Sequence, residues 1–339
     1  MSVDLSETAK LFAGKPAVDG ITTRIEAGEF FVVLGPSGCG KSTLLRLIAG
    51  LEPLDRGTIS LGGTAVSAPG LHVPPEERDV AVVFQTYALW PHMSVRDNVA
   101  FPLECDGLGR QAARTGADQH LRTVSLTEHA DRKPADLSGG QRQRVALARC
   151  LASGSGLVLM DEPLANLDPH LRNRMEEELL AFHKASGATV IYITHDQREA
   201  MALADRIAVM EAGRFVQVGA PEDIHDRPET AHVARFIGRA ALLEARLDGA
   251  TADLGPIRVA LSGGPRKGPG QVVLRPRDLD LGSGNIPACA EQVFYRGGGW
   301  EGALRVQGLA EALPFRSDAR VTDGETLQIA IKQAWALPA

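Results

Sequence analysis

Along the first two-thirds of the chain the apolar residues come in short solid runs. FFVVL at 30–34, VAVVF at 80–84, LVLM at 157–160 and TVIYIT at 189–194 are of this kind. Apolar runs of roughly four to eight residues bounded by turn signals read as strands buried on both faces. Between them the spacing becomes helical. Leu44, Leu45, Leu47 and Ile48 share one face over 41–49, and 138–151 and the acidic stretch 171–184 follow the same period. Residues 94–130 read as mostly helical, with breaks at Pro102 and between Gly107 and Gly109, and a further helix runs to Ala204. Short strands are expected within 1–34, at 57–63, at 207–210 and at 215–218. Strands alternating with helices predict a mostly parallel sheet covered on both faces. After about residue 240 short strands separated by Gly and Pro take over, as in a small β-barrel. The expected division is therefore 1–240, with a helical insert at about 86–150, and 241–339.

The length of 339 residues agrees with two domains. A net charge of −6 without any Lys/Arg run argues against a nucleic-acid partner. The four cysteines (Cys39, Cys105, Cys150, Cys289) form no C-x-x-C pair, which disfavours a zinc site or disulfide framework. The polar N-terminus carries no signal-peptide pattern, and no apolar stretch approaches the roughly 20 residues that span a bilayer. A membrane role is expected to come through a partner.

The candidate chemistry begins with Gly35, Pro36, Ser37, Gly38, Cys39, Gly40, Lys41, Ser42 and Thr43. This glycine-rich loop follows an expected strand and opens an expected helix, the context a phosphate cradle needs. Backbone N–H groups and the helix N-terminus favour a triphosphate such as ATP. Lys41 is expected to reach the β- and γ-phosphates, and Ser42 to offer a hydroxyl to Mg²⁺. The run at 157–160 ends in Asp161, placed to hold Mg²⁺, and Glu162, placed to polarise water as a general base. Gln85 and His195 close two other expected strands. A neutral amide at Gln85 can ligate Mg²⁺ and sense the γ-phosphate, and His195 can hydrogen-bond that phosphate and orient Glu162. A second anion-binding helix start lies at Ser138, Gly139, Gly140 and Gln141, where Ser138 is a good N-cap. The insert that carries it is expected to lie too far from the Lys41 loop to reach its own nucleotide. A second copy related by a two-fold axis can place its Ser138 against that phosphate, so two nucleotides would be sandwiched between two chains.

The glycine-rich loop, Gln85, LSGGQ, LVLMDEP, the turn Ala165, Asn166, Leu167, Asp168, and His195, in this order, resemble the ATPase subunit of an ABC transporter over about 1–240. The remainder resembles the oligonucleotide-fold-like (TOBE) C-terminal domain of importer ATPases of the maltose, polyamine, sulfate and ferric-iron group. Arg275, Pro276, Arg277 and Asp278 resemble that domain's RPED-type segment, with Arg277 where an acid is usual. The resemblance implies an α/β P-loop NTPase domain of ABC type, followed by a small all-β domain. It implies that Phe12 stacks on adenine, that Val18 lines the same pocket, and that Asp168 belongs to a turn crossing the dimer. Ala165 replaces a usual serine there. It also implies that Thr86 to Met93, with Tyr87 and Trp90, forms a groove for a helix of each of two membrane permeases. The expected activity is ATP hydrolysis with Mg²⁺ that energises solute import from the cytoplasmic face of the membrane, with a solute-binding protein as indirect partner. The stretches 87–103 and 235–247 resemble ferric-iron, polyamine or aminoalkylphosphonate importers. Sugar or sulfate import and a non-transport ABC ATPase are the alternatives. A coiled-coil repair or chromosome-maintenance ATPase would need sustained heptads, which the insert lacks.

Overall fold

The computed structural model describes residues 1–84, 87–165 and 167–338. They form two compact units, Met1–Pro221 and Glu222–Ala339. In the first, a six-stranded sheet runs in the order Arg214–Gly219, Arg206–Glu211, Phe30–Leu34, Thr189–Thr194, Leu157–Asp161, Val80–Val83. All neighbours pair in parallel except the first two, which form an antiparallel hairpin. The solid apolar runs are explained by this placement, since every residue of Phe30–Leu34 and of Thr189–Thr194 is buried. Phe31, Val33, Ile191 and Ile193 pack with Leu44, Leu45, Leu47 and Ile48 of helix Lys41–Ala49. The opposite face carries Phe30, whose ring meets His183 of helix Pro169–Ser186 at 5.3 Å and Tyr192 at 5.9 Å. A second, antiparallel sheet (Lys15–Ile25, Val3–Phe12, Arg56–Leu61, Thr64–Ala68, Leu71–His72) adds Val3, Leu5, Ile21 and Ile59 to the Leu44 side of the core.

The helical insert holds Val95–Cys105, Arg110–Thr123 and Gly139–Ala152. The expected break at Pro102 does not occur, and the helix ends at Cys105. Proline removes one N–H donor near the end of the helix, and Val95, Val99 and Ala100 bury the face that holds it in place. Ser94, Ser138, Asp168 and Asp196 each cap a helix through the side chain, a contribution of about 1 kcal/mol apiece.

The second unit contains the expected barrel, closed by Ala241–Gly249, Thr251–Asp253, Arg258–Ser262, Ala334–Ala336 and Arg266–Leu274. A four-stranded antiparallel sheet joins it: Leu313–Ser317, Trp300–Val306, Leu279–Tyr295, Thr326–Ile331. Leu243, Val272, Leu304 and Phe315 share one core across both. The division after Pro221 falls earlier than the expected residue 240. Ala234, on helix Ala231–Phe236, packs on Leu242, Val273 and Leu337 and so belongs with the barrel.

Candidate active site

The parallel register brings the candidate residues to one edge of the sheet. Leu34 lies beside Thr194, Asp161 beside Ile193, and Val83 beside Met160. The loop after Leu34, the pair Asp161 and Glu162, and His195 after Thr194 thus share the carboxyl ends of adjacent strands, where α/β sheets bind ligands.

Glycine is required at two positions of the loop. A β-carbon at Gly35 would lie 2.4 Å from the Met210 carbonyl oxygen, and one at Gly40 would lie 2.0 Å from that of Ala17. Gly40 also sits at φ 112° as the residue before helix Lys41–Ala49. Lys41 is buried, and its ammonium donates to the carbonyls of Gly35 at 2.8 Å and Pro36 at 3.0 Å. A positive charge is therefore fixed beneath the loop. Pro36, Ser37 and Gly38 are exposed above it, and Ser42 and Thr43 are half-buried at the first turn. Cys39 is buried against Gly35, and burial pushes its thiol up.

Ser42 Oγ donates to Asp161 Oδ1 at 3.0 Å, setting a hydroxyl and a carboxylate side by side. Burial raises the Asp161 carboxyl above its ordinary range, opposed by the Ser42 hydrogen bond and reinforced by the neighbouring Glu162 charge. Glu162 takes the left-handed φ of 46°, and its N–H donates to the Ile193 carbonyl at 3.0 Å. Its Oε2 then meets His195 Nδ1 at 3.1 Å. A non-glycine residue in this region is uncommon and carries strain, which recurs at functional sites. Lys41, Ser42, Asp161, Glu162 and His195 thus share this edge, while Gln85, Thr86 and Asn166 lie outside the described residues.

Ser138 and Gln141 cap helix Gly139–Ala152 reciprocally. Ser138 Oγ accepts from Gln141 N–H at 3.3 Å, and Gln141 Oε1 accepts from Ser138 N–H at 2.8 Å. Gln141 Nε2 also lies 2.7 Å from His129 Nε2. Gly140 backs onto Leu167 and Leu171, whose methyl groups would sit 2.9 and 3.0 Å from an added β-carbon. Gly139 has open space around it, and Ser138 is exposed. Asp168 caps helix Pro169–Ser186 through two N–H bonds.

Phe12 ends its strand 47% exposed, with the Lys10 ammonium 5.4 Å from its ring centre. Val18 differs from expectation. It is 0% exposed and packs in the core with Val33, Cys39 and Leu44, so it supports the loop and offers no surface to a base.

Sequence reasoning missed two arginines that shape this region. Arg78 is buried and donates to the Leu47 and Ile48 carbonyls, closing the end of the helix that starts at Lys41. Arg149 donates to the carbonyls of Tyr87 at 3.1 Å and Ala88 at 2.7 Å, both left-handed residues, and lies 4.7 Å from the Trp90 ring centre. No local signal separates either arginine from a solvated one.

The ABC transporter family profile matches residues 18–165. The trehalose/maltose import ATP-binding protein MalK of Thermococcus litoralis is 42% identical over 96% of this chain and 94% of its own length. This chain belongs to the ATP-binding subunits of ABC transporters. The spermidine/putrescine import ATP-binding protein PotA 2 of Pseudomonas aeruginosa is 42% identical over 87% of this chain and 82% of its own. Among solved structures, a dimeric ATP-binding cassette in a post-hydrolysis state with ADP and Pi is similar at a TM-score of 0.58. It is 29% identical and covers 65% of this chain and 98% of its own. The family membership makes this chain an ABC-type ATPase.

Proposed function

We propose that the chain is the ATP-hydrolysing subunit of an ABC importer and works as a two-fold pair that clamps two ATP molecules. The observation that carries the hydrolytic part is the 3.1 Å contact of His195 Nδ1 with Glu162 Oε2, beside the phosphate cradle. With Nδ1 engaged, Nε2 is the ring atom left for a γ-phosphate oxygen. Lys41 exchanges a loop carbonyl for a phosphate oxygen and places its charge where negative charge develops. Glu162 accepts a proton from water as the water oxygen bonds to the γ-phosphorus. The bond from that phosphorus to the ADP oxygen breaks in the same displacement, giving ADP and phosphate.

The paired oxygens of Ser42 and Asp161 suit a hard cation such as Mg²⁺, and the amide of Gln85 would complete the protein's share. When bound, Mg²⁺ neutralises charge on the β- and γ-phosphate oxygens. Ser138, Gly139, Gly140 and Gln141 of the second copy close the site, and Asp168 lies at the turn between the copies. Phe12 offers its exposed ring to adenine.

The stretch from Tyr87 to Met93 receives a short helix from each of two permeases, a helix-in-groove contact. Trp90 meets Phe101 in a tilted ring contact at 4.4 Å, which gives that groove an aromatic wall. In this reading the chain meets the membrane through those permeases, at the cytoplasmic face. Among the described residues no helix is long and apolar enough to cross a membrane. Relatives named for sugar and for polyamine import match at the same 42% identity. This favours solute choice by the permease and its binding protein.

Glu162→Gln tests the hydrolytic reading. ATP binding, measured by filter retention, should persist while turnover falls by about 10²–10⁴-fold. Unchanged turnover would remove Glu162 from the role.

A further inference from the structure

A polar network lies behind His195. Glu199 is 3% exposed, and its Oε2 accepts from the Tyr192 hydroxyl at 2.9 Å and the Thr194 hydroxyl at 2.7 Å. Thr194 Oγ1 accepts in turn from Asp196 N–H at 2.9 Å. Both neighbours of His195 are therefore tied to one buried carboxylate. Arg172, on helix Pro169–Ser186, closes the far side. Its Nη1 donates to Asp196 Oδ2 at 3.1 Å, its Nη2 donates to the Leu167 carbonyl at 3.2 Å, and its Nε lies 3.6 Å from Glu199 Oε1. Leu167 is one of the two leucines against which Gly140 packs. An unbroken line of contacts thus runs from the start of helix Gly139–Ala152 through Leu167, Arg172 and the Thr194 and Asp196 flanks to His195 and Glu162.

We infer that Arg172 is a positioning residue for hydrolysis, a rigid fork through which the turn at Leu167 sets the orientation of His195 toward Glu162. The inference rests on the reading of Glu162 and His195 as the hydrolytic pair. A planar guanidinium suits the task because two of its nitrogens hold the Asp196 carboxylate and the Leu167 carbonyl in fixed relative directions while its charge faces Glu199, which the single charge of lysine does not do. The partners lie on two elements: the turn that carries the Leu167 carbonyl, and the start of helix Gln197–Leu203, which Asp196 caps and whose first turn holds Glu199. A shift of the turn as a second copy's phosphate seats on the Ser138 helix would be passed to the flanks of His195 with little slack. Glu176 stands by the same cluster, its carboxyl pushed up by burial and by the Glu199 charge. A merely structural arginine would fix the helix to the sheet and nothing more, and the two roles separate experimentally.

The test uses the full chain with Arg172→Met, Arg172→Lys and Asp196→Asn, each alone and with His195→Ala. Steady-state ATPase, ATP binding and melting temperature are measured. Arg172→Met should lower kcat by about 10–100-fold, the scale expected of a misplaced reacting group, with KM and melting temperature nearly unchanged. Arg172→Lys should recover part of the loss. On the His195→Ala background Arg172→Met should lower residual turnover no further, because the group it acts through is gone. Normal kcat in Arg172→Met, or the same fold loss with and without His195, overturns the inference. Should Arg172→Met fail to fold, Asp196→Asn removes the same ion pair with little change of shape, and normal kcat there is equally fatal. Full turnover in His195→Ala itself would bring down the hydrolytic pair, and this inference with it. A loss there with the Arg172 effect undiminished would bring down the inference alone.

Discussion

At Gly40 the backbone sits at φ 112°, and a β-carbon would lie 2.0 Å from the Ala17 carbonyl oxygen. Neither constraint can be met by an L-residue without moving the loop away from the Ala17 strand. The left-handed conformation alone costs of order 1–3 kcal/mol, and the clash adds to it. Gly40→Ala should therefore abolish tight ATP binding in a calorimetric titration, with the circular dichroism spectrum retained. Wild-type affinity would contradict the cradle. Residue chemistry was legible where spacing and context coincide. Gly35, Gly40, Lys41 and Ser42 stand at the expected strand-to-helix junction, and Glu162 Oε2 lies 3.1 Å from His195 Nδ1. Val18 was misplaced because a valine near a loop reads alike whether it faces a ligand or the core, and only the packing of Val33, Cys39 and Leu44 around it decides.

Between elements, the long contacts of arginine do work that no periodic pattern announces. Arg149 leaves helix Gly139–Ala152 to hold two carbonyls in the stretch after strand Val80–Val83, where Tyr87 and Ala88 take left-handed backbones. Burial lowers the Arg149 pKa, and its hydrogen bonds to neutral carbonyls compensate the desolvated charge. Arg149→Met keeps the stem and removes both bonds. It should leave the ATPase of the isolated chain within about twofold, since the change lies outside the nucleotide site. Stimulation by the reconstituted permease pair should fall, measured as the ratio of ATPase with and without it. An unchanged ratio would show that the Tyr87 segment does not couple. The helices and buried strands of the first unit were readable because their apolar periods are strong. The break assigned to Pro102 was wrong because proline near a helix end loses only one bond, which the buried Val95 face outweighs. The boundary near residue 240 was late because the helix Ala231–Phe236 gives no local sign that Ala234 packs on the barrel strand carrying Leu242.

For the whole molecule the account requires two chains. One helix start is spent on the phosphate cradle. The other, at Ser138, is capped by its own Gln141 and turns its hydrogen bonds into the insert, leaving Ser138 exposed. The first-turn N–H groups of Gly139 and Gly140, which this reciprocal cap does not use, are suited to a phosphate brought by a neighbour. In the proposed pair, closing two such sites at once would make ATP a ligand of the paired state, so pairing and nucleotide affinity would rise together by mass action. The most direct measurement mixes two inactive variants, Lys41→Ala and Ser138→Arg. In a mixed pair one site receives both defects, and the other combines an intact Lys41 cradle with an intact Ser138 helix. The account predicts that the mixture hydrolyses ATP although neither parent does. Activity no greater than the sum of the parents would contradict it.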